Sequence, residues 1–155
     1  MQRCTLIYVG KMKIPFWVQA ADHYRKRLSR FWKIEEIQIR DGDGSLALEQ
    51  RKIQEGQRIL AAMPPGRLHI GLDEKGESIS SVDLAALVEK CGLESRIPAF
   101  IIGGAYGLSE EVLASCRKKL SLSALTFTHE LAQVVLWEQL FRADSILRNT
   151  GYHHE

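Results

Sequence analysis

A short, wholly apolar segment followed by a glycine-rich turn limits this chain to few architectures. Residues Pro98–Ile102 carry no polar side chain, and Gly103-Gly104-Ala105-Tyr106-Gly107 comes directly after them. A strand that is apolar on both faces is typical of the centre of a parallel sheet with helices on each side. Ser109 and the acidic residues after it then predict the start of a helix. The segment therefore predicts a strand–turn–helix unit of an α/β fold.

The rest of the chain alternates in the same way between strand-like and helix-like patterns. The predicted strands are Arg3–Val9, Lys33–Ile39, Leu68–Leu72, Pro98–Ile102 and Lys119–Leu122. The predicted helices are Phe16–Leu28, Leu46–Met63, one capped by Ser80 or Ser81 that ends at Cys91, one that Ser109 caps, and Glu130–Arg148; a turn is expected at Glu74–Glu77. This alternation predicts one α/β domain over residues 1–155, with a mostly parallel sheet flanked by helices.

Composition excludes several classes of protein. With 155 residues, 45% of them apolar and 26% charged, the chain is expected to form a globular domain with a substantial core. Its apolar runs are too short to span a bilayer, and its start does not resemble a signal peptide, so we expect a cytoplasmic protein. Three widely spaced cysteines argue against a disulfide framework or a zinc ribbon, and we expect them to be reduced.

The net charge of +2 excludes a general polycation, but the basic residues are clustered. One run contains Arg25, Lys26, Arg27, Arg30 and Lys33, and a second comprises Arg117, Lys118 and Lys119. Such clusters can bind phosphates even where the total charge is modest. The alternative is an ordinary solvated helix face, and the first run alone does not decide between them.

The predicted helix Glu130–Arg148 is apolar on two faces, so it needs two surfaces to pack against. One surface is expected to be the sheet. The other is either a second subunit, which predicts a homodimer, or further parts of the same chain around a deeply buried helix. Glu138 and Arg142 have the spacing of an ion pair along this helix.

Two segments could form a ligand site at the carboxyl ends of the strands, where open α/β sheets bind their ligands. Gly103 and Gly104 are expected to let a ligand approach the backbone, although the turn is neither a dinucleotide-binding fingerprint nor a phosphate-binding P-loop. The hydroxyl-rich segment 122–127 could line an adenine-sized pocket or be a buried strand and turn. The histidines at 129, 153 and 154 lack a recognisable zinc-ligand spacing, so no metal site is expected.

Several motifs, in order, resemble those of the SPOUT methyltransferases, and specifically the ribosomal RNA large subunit methyltransferase H family. They are Val9-Gly-Lys, Trp17-Val-Gln, Leu72-Asp, Ile102-Gly-Gly-x-x-Gly-Leu, Ser121-Leu-Ser-Ala-Leu-Thr-Phe-x-His, Val134-Val-Leu-x-Glu-Gln-Leu-Phe-Arg-Ala and Tyr152-His. The resemblance covers nearly the whole chain. It implies a homodimer with a C-terminal trefoil knot, the cofactor-binding knot region spanning about residues 70–150. It also implies that S-adenosyl-L-methionine methylates N-3 of a pseudouridine in 23S rRNA of assembled ribosomes.

The resemblance assigns roles to particular residues. Catalysis would involve the tail residues Tyr152, His153 and His154 together with His129. Cofactor binding would involve Leu72, Gly103, Gly104, Leu122, Ser123, Ala124, Leu125, Thr126 and Phe127. Candidates for binding rRNA phosphates are Arg25, Lys26 and Arg142, of which Arg142 could instead support the dimer; Lys118 and Lys119 are further candidates.

Three positions depart from the pattern of many relatives and could alter substrate affinity. Thr128 stands where proline is common, Gln133 where arginine is common, and His154 where a permanently basic residue is common. Two other functions remain open. One is methylation of another RNA, such as tRNA; the other is a non-catalytic ribosome-binding protein, which would not need intact cofactor loops.

Overall fold

The computed structural model describes residues 1–154 and confirms the alternation of strands and helices. The strands are β1 (Gln2–Val9), β2 (Trp32–Ile39), β3 (Leu68–Ser78), β4 (Pro98–Ile102) and β5 (Lys118–Ser121). The helices are α1 (Pro15–Leu28), α2 (Leu48–Ala62), α3 (Ser81–Leu93), α4 (Glu110–Ser115) and α5 (His129–Arg148).

The five strands form one sheet in the order β2-β1-β4-β3-β5, and every pair of neighbours is parallel. The apolar strand β4 lies at the centre and all five of its residues are buried. Because the strands are parallel, their carboxyl ends meet at one edge of the sheet. The connections that follow β3, β4 and β5 therefore lie close together there.

Helices cover both faces of the sheet, which explains why its central strand β4 is apolar throughout. On one face α1, α3 and α5 pack over a core that includes Phe100 and Trp137. On the other, α2 and α4 pack over a second core that includes Ile101 and Val112. Helix α5 contacts α1, α3 and β4 of its own chain. Its two apolar faces are thus largely buried within the chain, which was one of the two alternatives that the sequence left open.

Strand β3 differs most from the sequence prediction. It continues to Ser78 instead of ending at Leu72, so the turn expected at Glu74–Glu77 is wrong. Its pairing with β5 shifts register between Leu72 and Glu77, and a side chain at Gly76 would lie 2.8 Å from the backbone of Leu120. The glycine therefore marks a close approach of two strands at an irregularity.

Helix α5 matches the prediction closely. Thr128 caps its start, and Asn149, in the left-handed conformation with φ 53°, ends it. The three cysteines are free and buried. Among residues 1–154, no helix is both long and apolar enough to cross a membrane.

Candidate functional site

A cleft of about 540 Å³ opens at the carboxyl edge of the sheet, where β4 and β5 end. The second half of β3 and the connections after β4 and β5 line it, together with residues of α4, the start of α5 and one residue of α2. Its walls include Leu72, Asp73, Glu74, Gly103, Gly104, Tyr106, Leu122, Ser123, Leu125, Thr126, Phe127, His129 and Lys52. Its volume lies within the range of small-molecule sites. The structure therefore brings together most of the residues expected to bind a cofactor.

The glycines in the turn after β4 have close contacts within the protein itself. A side chain at Gly103 would overlap the backbone of Gly107, whose φ of +80° and N–H···O bond to Gly104, 3.0 Å long, close the turn. A side chain at Gly104 would meet a carboxylate oxygen of Glu55 at 2.8 Å. The missing side chains thus give room to the protein itself, while both glycines also line the cleft. The expectation that they let a ligand approach the backbone stays a prediction.

The second wall is a loop, residues 122–127, held by short-range hydrogen bonds. The Ser123 hydroxyl accepts a bond from the backbone N–H of Leu125 at 3.0 Å, and the Thr126 hydroxyl donates to Glu74 at 2.5 Å. Leu125 lines the cleft and is 73% exposed, an apolar surface that a ligand could cover. Ala124 is exposed and is not among the described residues that line the cleft.

His129 is the first residue of α5 and lines the same cleft. Its Nε2 atom lies 3.3 Å from a carboxylate oxygen of Glu130. The preceding Thr128 accepts a hydrogen bond from the backbone N–H of Leu131 at 3.2 Å. The threonine that replaces the common proline therefore acts as a helix cap and holds His129 at the cleft.

The described part of the C-terminal tail packs against the far end of α5. The hydroxyl of Tyr152 donates to Glu138 at 3.1 Å, and its ring makes an edge contact with Phe141, with centroids 4.9 Å apart. Arg142 lies 4.8 Å from the centre of the Tyr152 ring and 3.3 Å from Nδ1 of His153. His154 is exposed. Arg142 also pairs with Glu138, which confirms the predicted ion pair.

These contacts fix the protonation of Tyr152. Burial, the largest effect, together with hydrogen bonds to Tyr24 and Glu138, raises the pKa of Tyr152 to about 12. The phenol therefore stays protonated at neutral pH, and it can donate a hydrogen bond but cannot serve as a general base.

The structure does not bring the tail and His129 together within one chain. Arg142, which holds His153, lies more than three helical turns from His129. That is roughly 20 Å along α5 at 1.5 Å per residue. The expected catalytic residues are thus separated: His129 lies in the cleft, Tyr152 and His153 pack at the opposite end of the helix, and the adjoining His154 is exposed.

The three expected RNA-binding cations are all paired with carboxylates. Arg25 lies 2.5 Å from Asp22 and 3.1 Å from Glu36, and Lys26 lies 3.9 Å from Asp22. Arg142 pairs with Glu138, as described above. In contrast, Arg117, Lys118 and Lys119 are exposed, and the ion pairs of residues 1–154 do not include them. The second basic run is therefore the stronger candidate for phosphate contacts.

Sequence reasoning missed two parts of the site. Lys52 of α2 reaches the cleft from a helix that showed an ordinary amphipathic pattern. Glu55, one turn further on, is 5% exposed and lies behind Gly104. The nearest available signal was Gly56, whose missing side chain admits Ser109 and so brings α2 against the glycine turn. Residues 1–154 contain no group of three or more histidine, cysteine or acidic side chains that could hold a metal ion.

Comparisons with known proteins agree with this architecture. The family model described as predicted SPOUT methyltransferase matches residues 2–153. A ribosomal RNA large subunit methyltransferase H of Nitratidesulfovibrio vulgaris (strain Miyazaki F) is 45% identical over 155 residues, covering 99% of this chain and 100% of the relative. A protein of the same name from Lawsonia intracellularis is 49% identical over 150 residues, covering 96% of each chain.

Solved structures support the fold at low sequence identity. A probable methyltransferase from Bordetella pertussis superposes with a TM-score of 0.54 at 14% identity, covering 92% of this chain and 96% of the other. The SpoU methyltransferase AviRb of Streptomyces viridochromogenes, solved in complex with the cofactor AdoMet, gives 0.50 at 13% identity, covering 92% and 58%. The motifs occur in the order typical of the family, and relatives that are 45% and 49% identical match nearly the whole chain. The chain therefore belongs to the ribosomal RNA large subunit methyltransferase H family of SPOUT methyltransferases.

Proposed function

We propose that this enzyme transfers a methyl group from S-adenosyl-L-methionine to N-3 of a pseudouridine in 23S rRNA, on the assembled ribosome. The observation that carries the proposal is the cleft. Leu72, the glycine turn, the 122–127 loop and His129 come from separate parts of the chain and line one cavity of cofactor size. The relatives named for large subunit rRNA methylation supply the substrate class.

The residues present fit the cofactor. Leu72, Leu122, Leu125 and Phe127 offer apolar surface for an adenine ring, and the backbone of the 122–127 loop offers hydrogen-bonding groups. Ser123 and Thr126 are held by their own contacts, which keeps the loop in a fixed shape. When bound, the cofactor supplies an electrophilic methyl group, so the protein mainly supplies positioning and electrostatics.

The target nitrogen carries a proton that must leave, and this limits the roles of the candidate catalytic residues. Tyr152 keeps its own proton because its pKa is raised to about 12, so its role is to orient a neighbouring group. His153, whose Nδ1 lies 3.3 Å from Arg142, and His129, in the cleft, carry imidazole nitrogens and are therefore the candidates to accept that proton.

If His129 and the C-terminal tail act in the same active site, the enzyme is a homodimer. The tail and His129 of one chain lie roughly 20 Å apart along α5, so the tail that completes a cleft would come from a second subunit. A patch for such a contact exists at the start of α1, where Ile14, Phe16 and Val18 are 43%, 60% and 36% exposed. We propose also that the C-terminal region, about residues 70–150, is threaded as the trefoil knot of this superfamily.

Contacts with rRNA are assigned to Arg117, Lys118 and Lys119 rather than to the paired Arg25 and Lys26. Phosphate contacts set position and contribute affinity without reading sequence. Because phosphate contacts do not read sequence, selection of one nucleotide must depend on the shape of a large, ordered substrate. This favours an assembled particle over free RNA.

The test is transfer of a labelled methyl group from S-adenosyl-L-methionine to ribosomes with and without the pseudouridine. We expect label in the large-subunit rRNA of the particles that contain pseudouridine. Equal labelling of both particles would contradict the requirement for pseudouridine. Labelling of tRNA alone would contradict the proposed substrate, and no transfer to any RNA by a protein that binds the cofactor would contradict the activity.

A further inference from the structure

Glu55 is a buried carboxylate that the proposed mechanism does not use. It lies on α2 and is 5% exposed. Its hydrogen bond is with the backbone N–H of Gly42, and at 3.4 Å that bond is long. Among residues 1–154, no lysine, arginine or histidine forms an ion pair with it. Buried carboxylates are normally paired or well hydrogen-bonded, because removing their charge from water is costly.

The carboxylate faces the glycine turn of the cofactor cleft. Its two oxygens lie 2.8 and 3.1 Å from the point where a side chain of Gly104 would begin. Gly104 itself lines the cleft, and no side chain stands between its backbone and Glu55. The charge of Glu55 is thus separated from the cleft by a single layer of glycine backbone.

The surroundings of Glu55 leave its charge only partly balanced. Burial, the largest effect, and the neighbouring Asp41 raise its pKa above the usual range, while the Gly42 N–H, Arg51 and Arg58 act in the opposite sense. Arg58 donates to the backbone carbonyls of Arg40 and Asp41, at 3.1 and 2.5 Å. A cation in the cleft would therefore stabilise the ionised form of Glu55.

We propose that Glu55 makes the cleft prefer a cationic cofactor over its neutral product. This inference rests on the proposed function. The sulfonium of S-adenosyl-L-methionine carries a positive charge, and the thioether of S-adenosyl-L-homocysteine carries none at that atom. A carboxylate behind the glycine turn attracts the charged sulfonium but not the neutral thioether, because the protein between them has low polarisability and screens the charge weakly. Methyl transfer removes the positive charge from the sulfur, so the cleft then binds the product less tightly.

The test compares the dissociation constants of S-adenosyl-L-methionine and S-adenosyl-L-homocysteine by calorimetry. Glu55→Gln keeps the shape and an acceptor for the Gly42 N–H but removes the charge. We expect the preference for the cationic ligand to fall roughly three- to tenfold, on the order of 1 kcal/mol for a factor of five. The control is Glu111→Gln on α4, an exposed carboxylate outside the cleft, which should leave the preference unchanged because solvent screens it.

Glu55→Asp separates charge from shape. It keeps the charge on a side chain shorter by one methylene, so it should retain most of the preference even where both ligands bind more weakly. An unchanged preference in Glu55→Gln, or equal weakening of both ligands, would overturn the inference and leave the proposed function standing. A wild-type protein that binds neither ligand would overturn both.

Discussion

At the scale of single residues, Tyr152 shows how a local environment assigns a chemical role. Its hydroxyl lies 3.1 Å from Glu138 and its ring is covered by Phe141 and Arg142. In the folded protein its pKa is raised to about 12 from an ordinary value of 10. Below pH 10 the phenol is protonated in both folded and unfolded chains, so it contributes no pH dependence there.

The stability of the protein should therefore depend on Tyr152 only at high pH. As pH rises from about 10 to about 12, the unfolded chain loses the phenolic proton while the folded chain keeps it, so this group's contribution to stability declines. We expect Tyr152→Phe to lack that part of the decline and to keep the same pH profile of methyl transfer between pH 6 and 9. Urea denaturation of both proteins from pH 9 upward measures the difference. A changed activity profile in the phenylalanine variant would contradict the role of hydrogen-bond donor.

The residue scale is also where sequence reasoning was weakest. The motif identified Gly103 and Gly104 as part of the site, but the reason for each glycine lies in a tertiary contact, with Gly107 and with Glu55. Glu55 resembled any acidic residue on an amphipathic helix. Its burial depends on the close approach of α2 to Ser109 at Gly56, and no local sequence pattern indicates such an approach.

At the scale of helices and strands, one hydrogen-bonded network joins β2 to α5. Asp144 is buried and accepts a bond from Nε1 of Trp32 at 2.8 Å, and Arg148 donates to the other carboxylate oxygen at 2.8 and 2.6 Å. Arg148 also lies 3.6 Å from the centre of the Phe31 ring. The network fixes the end of α5, and with it the segment that carries the tail.

Replacing Asp144 should destabilise the protein more than the small volume of the aspartate side chain suggests. Asp144→Ala leaves the indole N–H of Trp32 buried without a partner, and we expect a loss of about 2–4 kcal/mol in the free energy of unfolding. Asp144→Asn keeps an acceptor for Trp32 and should cost about half as much. Chemical denaturation measures both variants. Equal losses in the two would show that the charge, and not the buried hydrogen bond, carries the effect.

Most element boundaries could be predicted because they depend on local signals. Ser80, Ser109 and Thr128 each cap the helix that follows, and a periodic apolar pattern identified the body of α5. The end of β3 could not be predicted, because residues 73–78 look like a turn. They extend the strand through a second pairing with β5, which follows β3 by some forty residues of chain.

At the scale of the whole molecule, the sequence predicted the parallel sheet and the position of the cleft, but not how the catalytic groups are divided. Helix α5 is buried largely by α1 and α3 of its own chain, so its two apolar faces do not by themselves require a partner. The distance between His129 and the tail and the exposed start of α1 instead favour a dimer. A mass in solution of twice 17.6 kDa is the first expectation.

A composite site makes a sharper prediction, because two defective subunits should complement each other. One subunit lacks residues 152–155 and keeps an intact cleft. The other carries Gly103→Ala, whose added methyl group would overlap the backbone of Gly107 and distort the cofactor turn. If a tail completes the cleft of its partner, a heterodimer of the two contains one intact site of two and should show about half of wild-type activity.

The heterodimer is obtained by placing a different affinity tag on each subunit and purifying on both in succession. Each homodimer should be inactive in methyl transfer, and cofactor binding to the tail-deleted homodimer should remain, because the tail lies outside the cleft of its own chain. An inactive heterodimer that still binds the cofactor at one site would show that each tail serves its own subunit. The tail would then have to leave Glu138 and Arg142 and cross the length of α5 to act.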